Sequence, residues 1–268
     1  MITGGLIPRG KGENGMKNKY FHINKNGSSI HCKIYFNDLH AVKRVVICLH
    51  GFTGNMENKA VERFADYVLK KNKDAAVMIY NAPCHGDDVK KKLSLVDCDA
   101  YITLVTEYAK SRFNTDELYV YANSFGGYQF LKYISEHGNP YRKLALRCPA
   151  VNMLDTMMGL ASPADRQALE KNKPVTVGFE RKIKITRSFV EELEGADISV
   201  RDYKPFAGDI VIIHGKKDEV VSFDFVKGFA AENGIRFVPV ENANHRFVDP
   251  SAMDTAVKTI AEFFGFNT

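Results

Sequence analysis

From residue 45 onward the chain alternates short, continuously apolar runs with longer stretches whose apolar residues recur at helical spacing. Val45-Val46-Ile47-Cys48-Leu49-His50, Ala75–Tyr80, Leu118–Ala122, Leu144–Cys148, Ile210–His214 and Arg236–Val240 read as strands. The first lacks polar alternation, as expected of a central strand covered on both faces. Helices are expected between them. Val61, Phe64, Ala65 and Val68 share one face, residues 101–113, 127–134 and 223–231 form further helices, and Met253, Val257, Ile260 and Phe264 line one face of the last. Strand and helix alternating in this way imply an α/β fold, a mostly parallel central sheet with helices on both faces. Ahead of it, Tyr20–Asn24 and Ser29–Phe36 alternate around Lys25-Asn26-Gly27-Ser28, and Asn-Gly between such segments signals a hairpin.

The alternation is interrupted between residues 151 and 206. A Met-rich stretch at Asp155–Leu160, a polar helix at Pro163–Lys173, a hairpin through Val175, Val177, Phe179, Ile183 and Ile185 with its tip near Glu180-Arg181, and a helix through Phe189, Val190 and Leu193 are expected there. The chain therefore divides into a core, residues 16–150 and 207–268, and an inserted cap, residues 151–206. Residues 1–15 are Gly-rich and polar, lack an apolar signal core and precede a second methionine, Met16; they read as an expression leader or disordered tail outside the fold.

Composition narrows the function classes. The net charge is +5, and the runs Lys90-Lys91-Lys92 and Lys216-Lys217 interleave with acids without a recognition motif, so no nucleic-acid partner is expected. No apolar run approaches the roughly 20 residues of a membrane span. Cys32, Cys48, Cys84, Cys98 and Cys148 are odd in number and have no close pairs, which points to buried thiols in a reducing, cytoplasmic compartment rather than to disulfides or zinc.

The stretch that bears chemistry is Leu118-Tyr119-Val120-Tyr121-Ala122-Asn123-Ser124-Phe125-Gly126-Gly127, an apolar strand running through a serine into a helix. A serine at the tip of so sharp a turn needs small residues two before and two after it, here Ala122 and Gly126. The helix N-terminus favours negative charge developing at the serine. A serine nucleophile needs a base and an acid that orients the base. Asp218 follows the strand ending at His214, His245 follows the strand ending at Val240, and the order Ser124, Asp218, His245 is that of an α/β-hydrolase triad. Glu219 stands beside Asp218 as an alternative acid, and Asp155 is a reserve.

With these residues in order, the chain after Met16 resembles the α/β-hydrolase superfamily. His50-Gly51-Phe52-Thr53-Gly54, the stretch His214–Val221 and the mid-chain insertion are most similar to the small bacterial cinnamoyl (feruloyl) esterases and their monoglyceride-lipase-like relatives. The resemblance implies a serine hydrolase of carboxylic esters. Ser124 would be the nucleophile, His245 the base, Asp218 the orienting acid, and the backbone amides of Phe52 and Phe125 the oxyanion hole. No metal and no organic cofactor are implied. The partner expected is a small-molecule ester, with a homodimer left open. Thioesters, amides and acyl transfer suit the same triad, and a ligand-binding protein with vestigial turnover suits the same fold. His50 is expected to shape its loop through hydrogen bonds, and Cys84-His85 to be structural. The methionines of the insertion line an acyl pocket or form the insertion's own core. The chain departs from the resembled pattern at Ala122, at Asn81 where Asp is usual, and at Asn123 and Phe125 where His and Gln flank the serine; Phe52 and Phe125 are candidates for an apolar wall beside the scissile carbonyl.

Overall fold

The computed structural model of the chain describes residues 7–11 (backbone only), 16–25, 27–88, 90–178 and 181–268. Strands β1 (Ile7–Lys11), β2 (Lys17–Lys25), β3 (Ser28–Phe36), β4 (Arg44–Leu49), β5 (Ala75–Tyr80), β6 (Leu118–Asn123), β7 (Lys143–Arg147), β10 (Ile210–Gly215) and β11 (Arg236–Val240) form one sheet in the order β1-β2-β3-β5-β4-β6-β7-β10-β11. β8 (Val175–Val177) and β9 (Ile183–Ile185) pair separately. From β5 to β11 all neighbours are parallel, and β1, β2 and β3 extend the sheet antiparallel.

The parallel strands explain their own composition. Val45 to Leu49 and Ala75 to Tyr80 are wholly buried because both faces are covered. On one face lie α1 (Lys59–Lys71) and α8 (Pro250–Phe263), which bury Phe64, Val68, Val257 and Ile260 against Val46, Tyr121 and Val211. On the other lie α2 (Leu95–Phe113), α3 (Phe125–His137) and α7 (Phe223–Asn233), with Tyr101, Phe130 and Phe229 in a second core with Ile47, Val120 and Ile212. The fold is the α/β-hydrolase fold expected from the sequence.

Between β7 and β10 the chain adds α4 (Met153–Leu160), α5 (Pro163–Glu170), the β8–β9 hairpin and α6 (Arg187–Gly195). Val175 pairs with Ile185 and Val177 with Ile183, so the inward-facing alternation sets the register. The hairpin residues Phe179 and Glu180 lie outside the described residues, as does Asn26 of the first turn. Beside Asn26, Gly27 takes φ +76°, the left-handed geometry of a tight hairpin.

Two elements differ from expectation. α2 begins six residues earlier than residue 101, because Ser94 caps it by accepting from the Asp97 amide and because Leu95 and Cys98 are buried against the core. Its apolar residues are spread around the helix, so periodicity alone marks its start poorly. Most of residues 1–15 lie outside the described residues, but Ile7–Lys11, set outside the fold in the sequence reading, runs antiparallel to β2 as an edge strand. Edge pairing uses main-chain groups and requires no apolar pattern.

Candidate active site

The carboxyl ends of β6, β10 and β11 bring three side chains together. Ser124 sits between β6 and α3 at φ 54°, ψ −119°, a strained backbone for a non-glycine residue. The turn is held by its amide donating to Arg147 O at 3.0 Å and by the Tyr128 and Ala150 amides donating to Ser124 O. Its closeness needs Gly126: a Cβ there would lie 2.7 Å from His50 O and 2.8 Å from Leu49 O. Ala122 fits in place of glycine with its methyl fully buried.

His245 lies in the loop after β11, with Nε2 2.9 Å from Ser124 Oγ. Its Nδ1 is 2.8 Å from Asp218 Oδ2 and 3.0 Å from Oδ1. Because the carboxylate only accepts, the proton resides on Nδ1, and the Nε2 lone pair faces the serine hydroxyl. Asp218 also accepts from the Val220 and Val221 amides at 2.9 and 2.8 Å, and His214 Nε2 stands 3.2 Å from its Oδ2. Burial alone would raise the Asp218 pKa, but the hydrogen bonds from His214 and His245 and the attraction of His245 outweigh it and hold the carboxyl well below the usual range. Glu219, the alternative acid, accepts from the His245 backbone amide at 3.2 Å, while the ring belongs to Asp218. Asp155 is exposed in the first turn of α4.

The loop after β4 abuts the serine. A Cβ on Gly51 would lie 3.0 Å from Ser124 Cβ, so Phe52 follows directly on a point of contact. Phe125 opens α3, and the first N–H of a helix has no intrahelical acceptor. Asn123 joins the two segments: with its amide oriented to suit its neighbours, it donates to Leu49 O at 3.2 Å and accepts from Gly51 N at 3.3 Å. The aromatic side chains do not form a common wall. The Phe125 ring is buried, stacked on Tyr128 and His85 and edge-on to Phe189, whereas Phe52 meets it edge-on at 6.0 Å and lines the cleft.

Supporting residues behave as structural parts. Buried His50 holds Gly51 O with Nδ1 at 2.8 Å and accepts from the Ala82 amide with Nε2; burial lowers its pKa to about 3. His85 is likewise buried and lowered to about 4. Burial pushes the Cys84 thiol up to about 11, away from thiolate chemistry. Asn81 accepts from the Met56 amide and donates to Asp87, a donor role an aspartate could not fill.

A cleft of about 830 Å³ opens over Ser124 and His245. Met153, Thr156 and Leu160 of α4 line it, while Met157 is buried in the core. Two residues carry more of the site than the sequence suggested. His214 braces Asp218, and Arg147 donates to His245 O at 3.3 Å while lying 4.9 Å from the Phe247 ring centroid. Arg147 was discernible as a charge ending an otherwise buried strand. Among the described residues, two trios bring metal-ligating atoms within 4.8 Å, Cys148 with Asp218 and His245, and Asp99 with Glu136 and His137. In the first, Asp218 and both His245 nitrogens are engaged in the serine site; in the second, Asp99 and Glu136 hold Lys132.

Fold and site together define an α/β-hydrolase of the serine type in its geometry. The chain belongs to the family described as serine aminopeptidase, S33, whose profile matches residues 40–180. No curated protein sequence matches it. Among solved structures it is similar to Est1E from Butyrivibrio proteoclasticus with ferulic acid bound, at 17% identity and a TM-score of 0.72, covering 90% of this chain and 96% of that one. It is similar also to a soluble variant of monoglyceride lipase from Saccharomyces cerevisiae in complex with a substrate analogue (13%, 0.66, 92% and 95%) and to alpha/beta hydrolase domain-containing protein 10 from mouse (14%, 0.68, 92% and 98%). At these identities the likeness is one of fold. No described helix is long and apolar enough to cross a membrane.

Proposed function

We propose that the protein is a serine hydrolase of carboxylic esters that works through an acyl-enzyme. The observation that carries this reading is the unbroken chain from Ser124 Oγ through His245 to Asp218, at 2.9 and 2.8 Å. Ser124 attacks the carbonyl carbon as His245 Nε2 takes its proton; Asp218 steadies the resulting imidazolium. The Phe52 and Phe125 amides hold the tetrahedral oxyanion. His245 then protonates the leaving alcohol, and water, deprotonated by the same nitrogen, releases the acid. Residues 151–206 act as a cap, with Met153, Thr156, Leu160 and Arg181 facing the substrate. The five unbridged cysteines support a cytoplasmic location.

The family's description favours testing amides beside esters. Hydrolysis of chromogenic esters from acetyl through long acyl chains to feruloyl, together with aminoacyl nitroanilides and a thioester, is to be compared between wild type and Ser124→Ala. Serine-dependent ester turnover is expected. Serine-dependent turnover of nitroanilides or thioesters alone would reassign the substrate class, and no serine-dependent turnover would leave ligand binding as the role.

A further inference from the structure

The cleft carries charge that the three reacting residues do not use. Lys59, Arg63, Arg147, Arg181 and Arg246 line it, against a single lining carboxylate among the described residues, Glu57, which is held by Lys33 at 2.7 Å. Arg63 has its own partner in Asp254 at 2.6 Å. Arg147 differs from the other cations in being buried, with 4% of its surface exposed. It donates from Nη1 to His245 O, faces the Phe247 ring and lies close to the buried Tyr121 hydroxyl and Cys148 thiol, all uncharged groups, and its Nε has no hydrogen-bond partner. None of the described carboxylates forms an ion pair with it, and Asp218 is taken up by two histidines and two amides.

A desolvated guanidinium is unfavourable unless an anion compensates it. A backbone carbonyl and an aromatic face compensate it only in part. Had the position needed no more than packing beneath His245, an apolar side chain would suit a strand whose preceding residues, Leu144, Ala145 and Leu146, are all fully buried. A planar guanidinium instead suits a carboxylate.

Resting on the ester-hydrolase reading, we propose that Arg147 binds a carboxylate carried by the substrate, so that the natural ester is an anion: a monoester of a dicarboxylic acid, or an ester of a hydroxy acid. Arg181 and Arg246 at the same cleft draw such an anion in, since charges of one sign lining a cleft focus the field and concentrate ions of the opposite sign. Arg147 itself makes the main-chain contact that orients Ser124, its carbonyl accepting the Ser124 amide at 3.0 Å, so an anchored carboxylate would register the ester against the nucleophile.

The test compares matched esters in wild type, Arg147→Lys and Arg147→Gln. 4-Nitrophenyl butyrate against mono-4-nitrophenyl glutarate puts the carboxylate on the acyl side; phenyl butyrate against 4-carboxyphenyl butyrate puts it on the leaving group. In wild type one anionic ester should exceed its neutral counterpart by about tenfold or more in kcat/KM, the ratio falling towards one in Arg147→Gln and surviving in part in Arg147→Lys. The ratio is internal to each variant, so a general loss from a shifted His245 loop leaves it unchanged. Calorimetry should show glutarate binding to wild type and a clear weakening in Arg147→Gln. A ratio of one or less for both pairs in wild type, an unchanged ratio in Arg147→Gln, or no glutarate binding to wild type would each overturn the proposal. Should Arg147→Gln fail to fold, the wild-type ratios and glutarate binding decide. Failure of the ester reading looks different: none of these esters is turned over in a Ser124-dependent way, and glutarate binding alone then reports on the anion site.

Discussion

His214 and Asp218 meet with both side chains wholly buried, imidazole Nε2 3.2 Å from carboxylate Oδ2. That nitrogen also lies 3.2 Å from Val221 O, so both its neighbours are acceptors and the proton must reside on it. Asp218 is thus gripped by two histidines, one from the floor of the sheet and one from the reacting side. Replacing His214 with Leu removes a hydrogen bond to a charged acceptor, an interaction of about 1.5–3 kcal/mol. The expected outcome is a fall in kcat of about tenfold or more with KM little changed, read by steady-state kinetics on the best ester.

Asp218→Asn should lower kcat by about 10⁴-fold without unfolding the protein, since an amide cannot hold His245 in the tautomer that leaves Nε2 free. Glu219→Gln should cost far less, because Glu219 holds only the His245 backbone amide, and the exposed Asp155 should be replaceable by Asn with no effect. Kinetics paired with circular dichroism checks all three. Full activity in Asp218→Asn would remove it from the mechanism.

Stability should fall as the solution is acidified below neutrality. Burial holds His50 at about 3 and His85 at about 4, against an ordinary value of 6.5. Below pH 6.5 the unfolded chain therefore binds protons that the folded chain refuses, and stability present above 6.5 is lost progressively as pH falls toward those lowered values. Asp218, also lowered, adds a loss below its usual range near 3.8. Each refused proton contributes about 1.4 kcal/mol per pH unit to the slope. Urea unfolding of wild type and His85→Gln between pH 7 and 5 should show a shallower slope in the variant.

Two glycines should respond in opposite directions to alanine. At Gly126 the new methyl would meet backbone oxygens at 2.7 and 2.8 Å, which cannot move without disturbing β4 and the serine turn. A loss of about 1–3 kcal/mol is expected, with activity lost alongside. Gly228, exposed within α7 with no atom near its added Cβ, should gain about 0.5–1 kcal/mol in helix propensity. Thermal denaturation measures both.

What could be read from the sequence was what depends on near neighbours along the chain. The apolar runs at Val45–Leu49 and Ala75–Tyr80 announce covered strands, Gly27 and the alternation around it announce a hairpin, and Ala122, Ser124 and Gly126 announce a turn that only small residues allow. Even Asp218 and His245 were discernible, since each directly follows a strand end, where a parallel sheet gathers its loops. Tertiary structure decided what depends on contacts across the sheet. His245 comes from 121 residues beyond Ser124, and its ring and its backbone amide are shared out between Asp218 and Glu219 by distance, a division that their adjacency in sequence conceals. Phe125 and Phe52, alike in sequence, part company because one ring turns into a core already containing Tyr128 and Phe189 while the other remains at the cleft. Arg147 looks in sequence like the end of a strand. Only when the His245 loop folds over it does it become a buried cation beside Ser124, because desolvation depends on everything packed around the charge and not on its neighbours along the chain.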